Sequence, residues 1–340
     1  MLGSGEYNHV MAKAHALFLG WVDAFAPVLA THDVLSVEGE FTFALLNPES
    51  ESASKTFVEA GKIDGVLRHR ASGAVKLLEH KTTASGIEPD SDYWVELGMD
   101  SQISKYILAL RHAGHDVSSV LYDVVRKPAQ RPKLIPTLDA DGVKIVCDAG
   151  GVRVRTKDGK KWRESGDAAL GYVVEGREET PAEYHSRILA ELRSDLPGYC
   201  VQREIPRFDS DLLEYMQDAW ALSQQILYFR RANLWPRNPK ACAAYGRCEF
   251  FDLCAGRASV DGIRYDKRPK KHAELESVEG EKEFLTNSRL TALRKCSRYH
   301  FLRYEDPVEP VGEASEALRL GTLFHLGCET FLKSYITTTK

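Results

Sequence analysis

Three residues, Asp64, Glu79 and Lys81, have the types and the spacing that metal-dependent phosphodiester cleavage requires. Two carboxylates that face each other can hold a hard divalent cation through oxygen ligands. A lysine beside them can orient or activate the attacking water, which completes the minimum equipment for metal-assisted hydrolysis. Asp64 closes the sequence Gly-Lys-Ile-Asp, and Glu79 and Lys81 flank His80.

The segments that carry these residues are predicted to form a β-hairpin. Residues 61–69 and 74–82 are rich in apolar and β-compatible side chains, and the four residues between them have turn composition. A turn centred on that stretch places Asp64 opposite Glu79, with Cβ atoms about 5 Å apart. Lys81 then projects from the same face as Glu79, because side chains alternate along a strand. A one-residue slip would separate the three, and an ordinary hairpin with a surface ion pair is the alternative.

Composition limits the classes of protein that the chain can belong to. With 340 residues, 43% of them hydrophobic, it can build one large domain or two small ones. It contains no apolar run of about 20 residues and no signal-peptide pattern, so we expect a soluble intracellular protein. The net charge is −4, so nucleic-acid binding requires a local patch. Residues 157–163 and 264–271 are two basic candidates, although solvated surface runs explain them as well.

Three of the seven cysteines, Cys242, Cys248 and Cys254, recur at intervals of six. Thiols crowded in this way in an intracellular protein indicate a metal ion or a cluster rather than disulfides. Zinc and iron–sulfur clusters both use thiolates, so the spacing leaves the choice open. Three ligands are also one short for either group.

The remaining pattern predicts an α/β fold with a mixed central sheet flanked by helices. Apolar periodicity, turn residues and stop signals such as Gly114 mark the individual elements. The predicted elements are helices over 7–30, 101–113, 181–193 and 209–231, strands over 34–46 and 117–125, a β-hairpin insertion over about 133–180, a charged linker over 263–283, and a last unit with two helices over 286–335.

The combination resembles a known superfamily. The matching residues are Gly61 and Asp64 (G-x-x-D), Glu79 and Lys81 (E-x-K), Gln102 and Tyr106 (Q-x-x-x-Y), and the three-cysteine loop 242–254. Together they resemble the PD-(D/E)XK nucleases, and within them the RecB-like exonucleases with an iron–sulfur cluster, which include CRISPR-adaptation nucleases. The resemblance implies a restriction-endonuclease-like core with a four-cysteine iron–sulfur subdomain.

Two further family features occur here in an unusual order. An S-x-L helix that leads to a cysteine, and a G-x-x-x-H helix, normally begin the domain, but here they end the chain, at Ser288 to Cys296 and at Gly321 to His325. The chain therefore resembles a circular permutant, with a nuclease core over 1–262, a linker over 263–283, and the family's N-terminal unit over 284–340. An engineered rearrangement or a truncated second copy would explain the same order. Neighbouring chain termini make permutation physically easy.

The last unit supplies the ligands that the rest of the chain lacks. By the resemblance, Cys296 completes a four-thiolate [4Fe-4S] site. His325 joins Asp64 and Glu79 as a ligand of Mg²⁺ or Mn²⁺, with the main-chain carbonyl of His80 as an extra ligand. A satisfied core histidine is the alternative for His325. The other cysteines are expected to be small buried side chains, and they are Cys147, Cys200 and Cys328.

Gln102 and Tyr106 lie four residues apart, and therefore on one face of a predicted helix. In the resembled family this pair helps to hold the DNA and to order the active site, whereas the plain alternative is a helix surface with one polar and one aromatic residue. Tyr93 and Trp94 precede them and can stack on an unpaired base or anchor the helix to the core. The anchoring role is the favoured prediction.

The resemblance thus predicts a metal-dependent DNA exonuclease with Asp64, Glu79, Lys81, Gln102 and Tyr106 as catalytic residues. Its substrate would be single-stranded DNA or DNA ends in recombination, repair, phage replication or CRISPR adaptation. Helicases and recombination or CRISPR proteins are the expected partners, without membrane association, in the cytoplasm of a bacterial or phage-infected cell. The alternative is an inactive DNA-binding scaffold that carries an iron–sulfur or zinc group.

Overall fold

A computed structural model of the chain describes residues 8–244, 246–268, 275, 282–312 and 315–336. A six-stranded mixed sheet lies at its centre, with helices on both faces, so the prediction of a mixed sheet flanked by helices is confirmed. Within the described ranges, no helix is both long enough and apolar enough to cross a membrane.

The sheet has the strand order β1-β2-β3-β4-β9, with β11 added beside β2. Strands β1 to β3 are antiparallel, β3 and β4 are parallel, β9 is antiparallel to β4, and β11 is parallel to β2. These strands are β1 His32–Leu46, β2 Ala53–His69, β3 Val75–Thr83, β4 Ser119–Arg126, β9 Cys200–Pro206 and β11 Glu283–Leu285. The short strands β9 and β11 have no counterpart in the sequence predictions.

The register of the β2–β3 hairpin is the one predicted from its turn. Gly65 pairs with Leu78 and Arg68 with Val75, and Gly73 takes a left-handed backbone conformation (φ 72°) at the end of the turn. Such a conformation suits glycine, which has no Cβ to clash with the neighbouring carbonyl. This register makes Asp64 and Glu79 the next residues along the two strands.

The longer helices pack in two layers, one on each face of the sheet. One layer joins α1, α4 and α10 through side chains such as Trp21, Ile188 and Phe324. The other joins α3, α6 and α8 through Ile107, Ile226 and Leu290, among others. Within the described residues the helices are α1 His9–Phe25, α2 Asp92–Gly98, α3 Ser101–His112, α4 Pro181–Ser194, α5 Leu196–Tyr199, α6 Asp209–Ala232, α7 Phe251–Cys254, α8 Asn287–Lys295, α9 Ser297–His300 and α10 Glu316–Ile336.

Local signals explain where the helices near the sheet begin and end. Asn8 caps α1 by accepting hydrogen bonds from the amides of Val10 and Met11, and Asp100 accepts one from Gln102 to begin α3. Side chains at these positions satisfy amides that have no partner inside the helix. The α2–α3 connection carries the chain between the parallel strands β3 and β4, as such pairs require.

Residues 133–180, the predicted β-hairpin insertion, contain short antiparallel strand pairs. Strand β5 (Leu134–Pro136) pairs with β8 (Gly176–Glu178), and β6 (Val146–Cys147) pairs with β7 (Val173–Val174). In the predicted basic patch 157–163, the Trp162 ring lies under the guanidinium groups of Arg153 and Arg155. These contacts hold the arginines on the insertion itself.

The predicted linker 263–283 is wrong for part of its length. Tyr265–Lys267 forms strand β10, which pairs with β12 (Val308–Pro310), and Tyr265 is buried against Phe250. The charged composition of the segment gave no sign of a strand. The strand is stabilised by pairing with β12, whose residues lie distant in sequence. The charged run 269–271 of the second basic patch lies outside the described residues.

Candidate metal centre

Asp64 and Glu79 are adjacent in the chain to Gly65 and Leu78, the last paired residues of β2 and β3 at this end. Among the described residues, Glu79 does not join Asp64 and His325 in a group whose ligand atoms all lie within 4.8 Å of one another. Asp64 Oδ2 accepts a hydrogen bond of 2.9 Å from the main-chain amide of His80 on β3, which fixes the carboxylate against the neighbouring strand. Burial raises the pKa of Asp64. Burial, followed by the charge of Asp64, raises the pKa of Glu79 to about 7. Two carboxylates with raised pKa values are poised to exchange protons for a cation.

Lys81 connects the carboxylates to helix α3. Its Nζ lies 2.6 Å from Glu79 Oε1 and 3.2 Å from Gln102 Oε1, and Gln102 Nε2 donates to the Tyr106 hydroxyl at 2.6 Å. Burial alone would lower the pKa of Lys81, but the carboxylate of Glu79 raises it above its ordinary value. The ammonium group is therefore charged and held in place by hydrogen bonds.

Gly61 explains why Tyr106 can approach the sheet so closely. A Cβ at this position would lie 2.7 Å from the Phe41 ring and 3.3 Å from the Tyr106 ring. The first distance is shorter than any stable contact, so a larger residue would displace both rings. The G-x-x-D spacing thus combines a close-packing glycine with the acidic residue Asp64.

His325 reaches the same place from helix α10. Its Nδ1 lies 3.6 Å from Asp64 Oδ2, although the two residues are far apart in sequence. Phe324, Cys328 and Leu332 form the buried stripe of α10. His325 lies at the edge of this stripe with its side chain 37% exposed, rather than in the core. Burial, followed by the nearby His80, lowers the pKa of His325 to about 4, so the neutral ring can serve as a ligand.

Glu38 is the residue that the sequence interpretation missed. The pairs Val37–Gly65 and Gly39–Ile63 place it across from Asp64 on the other side of β2. Among the described residues, Glu38, Asp64 and His325 form the one group of three His, Cys, Asp or Glu ligand atoms that all lie within 4.8 Å of one another. Strand β1 was predicted, but its register against β2 depends on a longer loop and two irregularities, so spacing did not reveal this neighbour.

His80 presents only its main chain to the carboxylates. Its ring is 3% exposed and packs edge-on against Trp21, with Nδ1 3.4 Å from Asp123 Oδ2. Asp123 also accepts hydrogen bonds from Trp21 and Gln202. Since side chains alternate along β3, the ring belongs to the face opposite Glu79 and Lys81.

The residues fit a divalent cation by the chemistry of their donor set. Carboxylate oxygens and a neutral imidazole are ligands that Mg²⁺ and Mn²⁺ accept. Glu79 Oε2 is buried and has no hydrogen-bond partner within the part of the chain that the structure describes. A buried carboxylate oxygen without a partner is costly, and a cation beside Asp64 and Glu79 would satisfy it.

Of the four cysteines predicted to hold a cluster, Cys248 packs against a small apolar cluster that includes Phe250 and Tyr265. The main chain of Asn238 contacts two of the four cysteines. Its N–H donates to Cys296 Sγ at 3.3 Å, and its carbonyl oxygen lies 3.8 Å from Cys242 Sγ. The amide of Cys248 donates to the carbonyl of Cys242. Cys254 ends the short helix α7. All four are partly buried.

The spacing of these thiols bears on which group they could hold. No three cysteine sulfurs among the described residues lie within 4.8 Å of one another. Tetrahedral zinc requires sulfurs about 3.8 Å apart, whereas a cubane cluster spreads its thiolates over different iron atoms. No three of these sulfurs are therefore set at the spacing of a tetrahedral zinc site within the described residues. Of the remaining cysteines, Cys200 and Cys328 are buried as predicted, whereas Cys147 is only partly buried.

Trp94 anchors its helix, as the favoured prediction had it. The ring is buried, and Nε1 donates to the carbonyl of Ile87 at 2.9 Å. Arg203 lies over its face, so the ring is not available for a base. The neighbouring Tyr93 is half-buried, and burial raises its pKa to about 12.

A groove of about 550 Å³ opens beside Gln102, the residue of α3 that contacts Lys81. It runs from Lys62, Gln102 and Tyr106 to residues of α8 and the turns that follow it. Its walls carry three cations and three tyrosines, which are Lys62, Lys295, Arg303, Tyr106, Tyr299 and Tyr304. Cations beside aromatic rings suit a nucleic-acid strand, since phosphates and bases can both be contacted.

Sequence comparison adds no family to this geometry. No family model matches the chain, and no curated protein matches it either. What the site can do is therefore argued from its own residues. They could bind one divalent cation, position a lysine beside it and admit an extended strand from the groove.

Proposed function

We propose that the chain is a Mg²⁺- or Mn²⁺-dependent DNA exonuclease of the PD-(D/E)XK type, related to the RecB-like iron–sulfur nucleases. The observation that carries this proposal is the convergence of Asp64, Glu79, Lys81 and His325, in which Lys81 Nζ lies 2.6 Å from Glu79 and His325 lies 3.6 Å from Asp64. An inactive scaffold has no need of a charged lysine held against a buried carboxylate beside Asp64.

The order of the elements supports the same proposal. Helix α1, the three antiparallel strands β1–β3, helix α3 and the parallel strand β4 follow one another. This succession fits a restriction-endonuclease-like core with Asp64 on its second strand and Glu79-x-Lys81 on its third. In this proposal, residues 284–340 are the family's N-terminal unit in permuted position, and β11 places that unit against β2.

Each protein group has a definite task in the proposed reaction. Asp64, Glu79 and His325 hold the cation, together with the main-chain carbonyl of His80. A cation held by these residues would supply Lewis-acid chemistry, polarising the scissile phosphate and making a water molecule more acidic. Lys81, fixed by Glu79 and Gln102, orients the attacking water and stabilises the negative charge that develops on the phosphate. Tyr106 holds Gln102, and the groove residues hold the DNA strand. The product carries a 5′-phosphate, as in the resembled family.

The four cysteines would hold a [4Fe-4S] cluster with a structural role. Bound there, it would join Cys296 of the last unit to the loop 242–254 and so keep α8 to α10 in place. The pathway would be recombination, repair, phage replication or CRISPR adaptation in the cytoplasm of a bacterial or phage-infected cell, with helicase or recombination proteins as partners.

The test is cleavage by anaerobically purified protein of end-labelled single-stranded DNA with Mn²⁺. Wild-type protein should digest the DNA, and Asp64→Asn should not. Asp33→Asn is the matched control, because Asp33 is an acidic residue on β1 that pairs with Arg68 and Arg70 at the far end of the hairpin. Loss of activity in both variants, or retention in Asp64→Asn, would refute the site. Absence of cleavage by folded wild-type protein would favour the inactive DNA-binding scaffold.

A further inference from the structure

Glu38 adds a third carboxylate to the row formed by Asp64 and Glu79 on three adjacent strands. The flanking pairs Val37–Gly65 and Gly39–Ile63 fix its place opposite Asp64. Its backbone is left-handed (φ 53°), a conformation that a non-glycine residue rarely adopts within a strand. A ligand atom of its side chain lies within 4.8 Å of ligand atoms of both Asp64 and His325.

A second observation points to a cation at this row. On the other side of Asp64, Glu79 is 3% exposed and its Oε2 has no hydrogen-bond partner in the described ranges. The row therefore combines a shared imidazole, three carboxylates and a buried oxygen without a partner. Lys81 lies beside Glu79 at one end of the row, and a cation next to Asp64 would balance the remaining negative charge and satisfy the buried oxygen.

Lys62 supplies part of that charge from one side. Its Nζ lies 2.8 Å from Glu38 Oε2, and the two side chains are 34% and 17% exposed. Ion pairs with this much solvent contact are weak and easily exchanged. Lys62 also lines the groove, so the same ammonium group lies between the carboxylate row and the place proposed for the DNA strand.

We propose that Glu38 is an additional ligand of the divalent cation, and that Lys62 holds its carboxylate only until the cation binds. The carboxylate of Glu38 then binds the cation instead of Lys62, and the Lys62 ammonium group contacts a phosphate in the groove. Metal binding thereby prepares the groove for DNA. This inference rests on the metal site of the proposed function, and it adds a ligand and a coupling that the resemblance does not contain.

Mn²⁺ binding, measured by calorimetry and by the spin-resonance signal of free Mn²⁺, tests the ligand without requiring activity. Glu38→Gln should weaken binding about tenfold or more, because one anionic ligand is lost. Lys62→Met should strengthen it a few-fold, because the competing ammonium is gone. Lys76→Met is the matched control: Lys76 on β3 forms a similar pair with Glu204 on β9, 2.6 Å apart, and should change nothing.

The coupling is tested by the affinity for a short fluorescent single-stranded DNA, in a Lys81→Met background that prevents cleavage. Adding Lys62→Met should weaken DNA binding about three- to tenfold with Mn²⁺ present, and much less without it. Equal weakening in both conditions would contradict the release of Lys62.

Separate results would refute the metal site and the role of Glu38. If wild-type protein and Asp64→Asn bind Mn²⁺ equally poorly, the proposed function fails and the role of Glu38 fails with it. If Asp64→Asn loses Mn²⁺ while Glu38→Gln binds like wild type, the metal site stands and this inference is overturned. Circular dichroism of each variant confirms that the fold is intact. Lys62→Met is expected to bind Mn²⁺ more tightly than wild type, and misfolding would not produce such a gain in affinity.

Discussion

Lys81 Nζ lies 2.6 Å from Glu79 Oε1 and 3.2 Å from Gln102 Oε1. The ammonium group is thus positioned by one residue of its own strand and by one residue of α3. Because Gln102 is in turn fixed by the hydroxyl of the buried Tyr106, the position of the charge is set before any substrate arrives. Such preorganisation is what electrostatic stabilisation of a transition state requires.

Replacing Lys81 by Met should therefore lower kcat about 100-fold or more while leaving the fold intact. The measurement is steady-state cleavage of labelled single-stranded DNA with Mn²⁺, beside circular dichroism. Lys76→Met serves as the control, since Lys76 lies on the same strand but pairs with Glu204. A Lys81→Met protein that cleaves at the wild-type rate would remove Lys81 from the mechanism.

The metal-free protein should lose stability as the pH rises from about 4.5 to about 7. The pKa of Glu79 is raised from 4.5 to about 7, chiefly by burial, so the folded state holds this proton more tightly than the unfolded chain. The contribution of this proton to the free energy of unfolding is complete below pH 4.5 and is lost as the pH rises through about 7. Asp64 acts in the same direction, because burial also raises its pKa.

Urea unfolding in a chelator at several pH values measures this effect. His325 acts in the opposite sense, because its pKa is lowered to about 4, so the difference between wild type and Glu79→Gln isolates Glu79. Between pH 4.5 and 7, the unfolding free energy of Glu79→Gln should fall less steeply with pH than that of wild type. An unchanged slope would mean that Glu79 does not titrate in that range.

Replacing Lys105 by Met should destabilise the protein by about 3 kcal/mol or more, because a buried charge loses its partner. Lys105 is fully buried, its Nζ lies 2.7 Å from Glu59 Oε2, and it also donates to the carbonyl of Leu285. Thermal or denaturant unfolding provides the measurement. The double variant Lys105→Met/Glu59→Leu should recover part of the loss, since neither charge then remains buried alone. A single variant as stable as wild type would contradict this account.

Cys248→Ala should lower the melting temperature by about 5 °C or more, and should do so before it affects cleavage per folded molecule. The expected cause is loss of a cluster that ties the loop 242–254 to Cys296. Metal analysis and visible absorption distinguish iron–sulfur from zinc, because zinc is colourless. Cys147→Ala in the insertion is the control and should change neither property. A Cys248→Ala protein that lacks iron and has the wild-type melting temperature would contradict a structural role for the cluster.

The parts of the site that the sequence could predict are those set by local spacing. The register of Asp64 against Glu79 follows from a four-residue turn, and the i, i+4 spacing of Gln102 and Tyr106 follows from the helix period. Glu38 escaped prediction because β1 meets β2 through irregular pairing. No local pattern carries that register.

Elements that exist only through distant partners were also missed. Strand β11 is three residues long and is defined by its pairing with Phe57 to Glu59, and β10 depends on β12 in the same way. Strand β9 alternates buried and exposed residues, but its polar composition hid it. Short strands of this kind have little intrinsic preference, and tertiary contacts decide them.

The docking of α10 against β1 also has a consequence in time. A ribosome makes Asp64, Glu79 and Lys81 early, whereas His325 emerges only after nearly all of the described chain has been synthesised. Until then the carboxylates lack the imidazole that lies 3.6 Å from Asp64 in the finished fold. A nascent chain would therefore carry an incomplete metal centre until His325 had followed Asp64, Glu79 and Lys81 out of the ribosome.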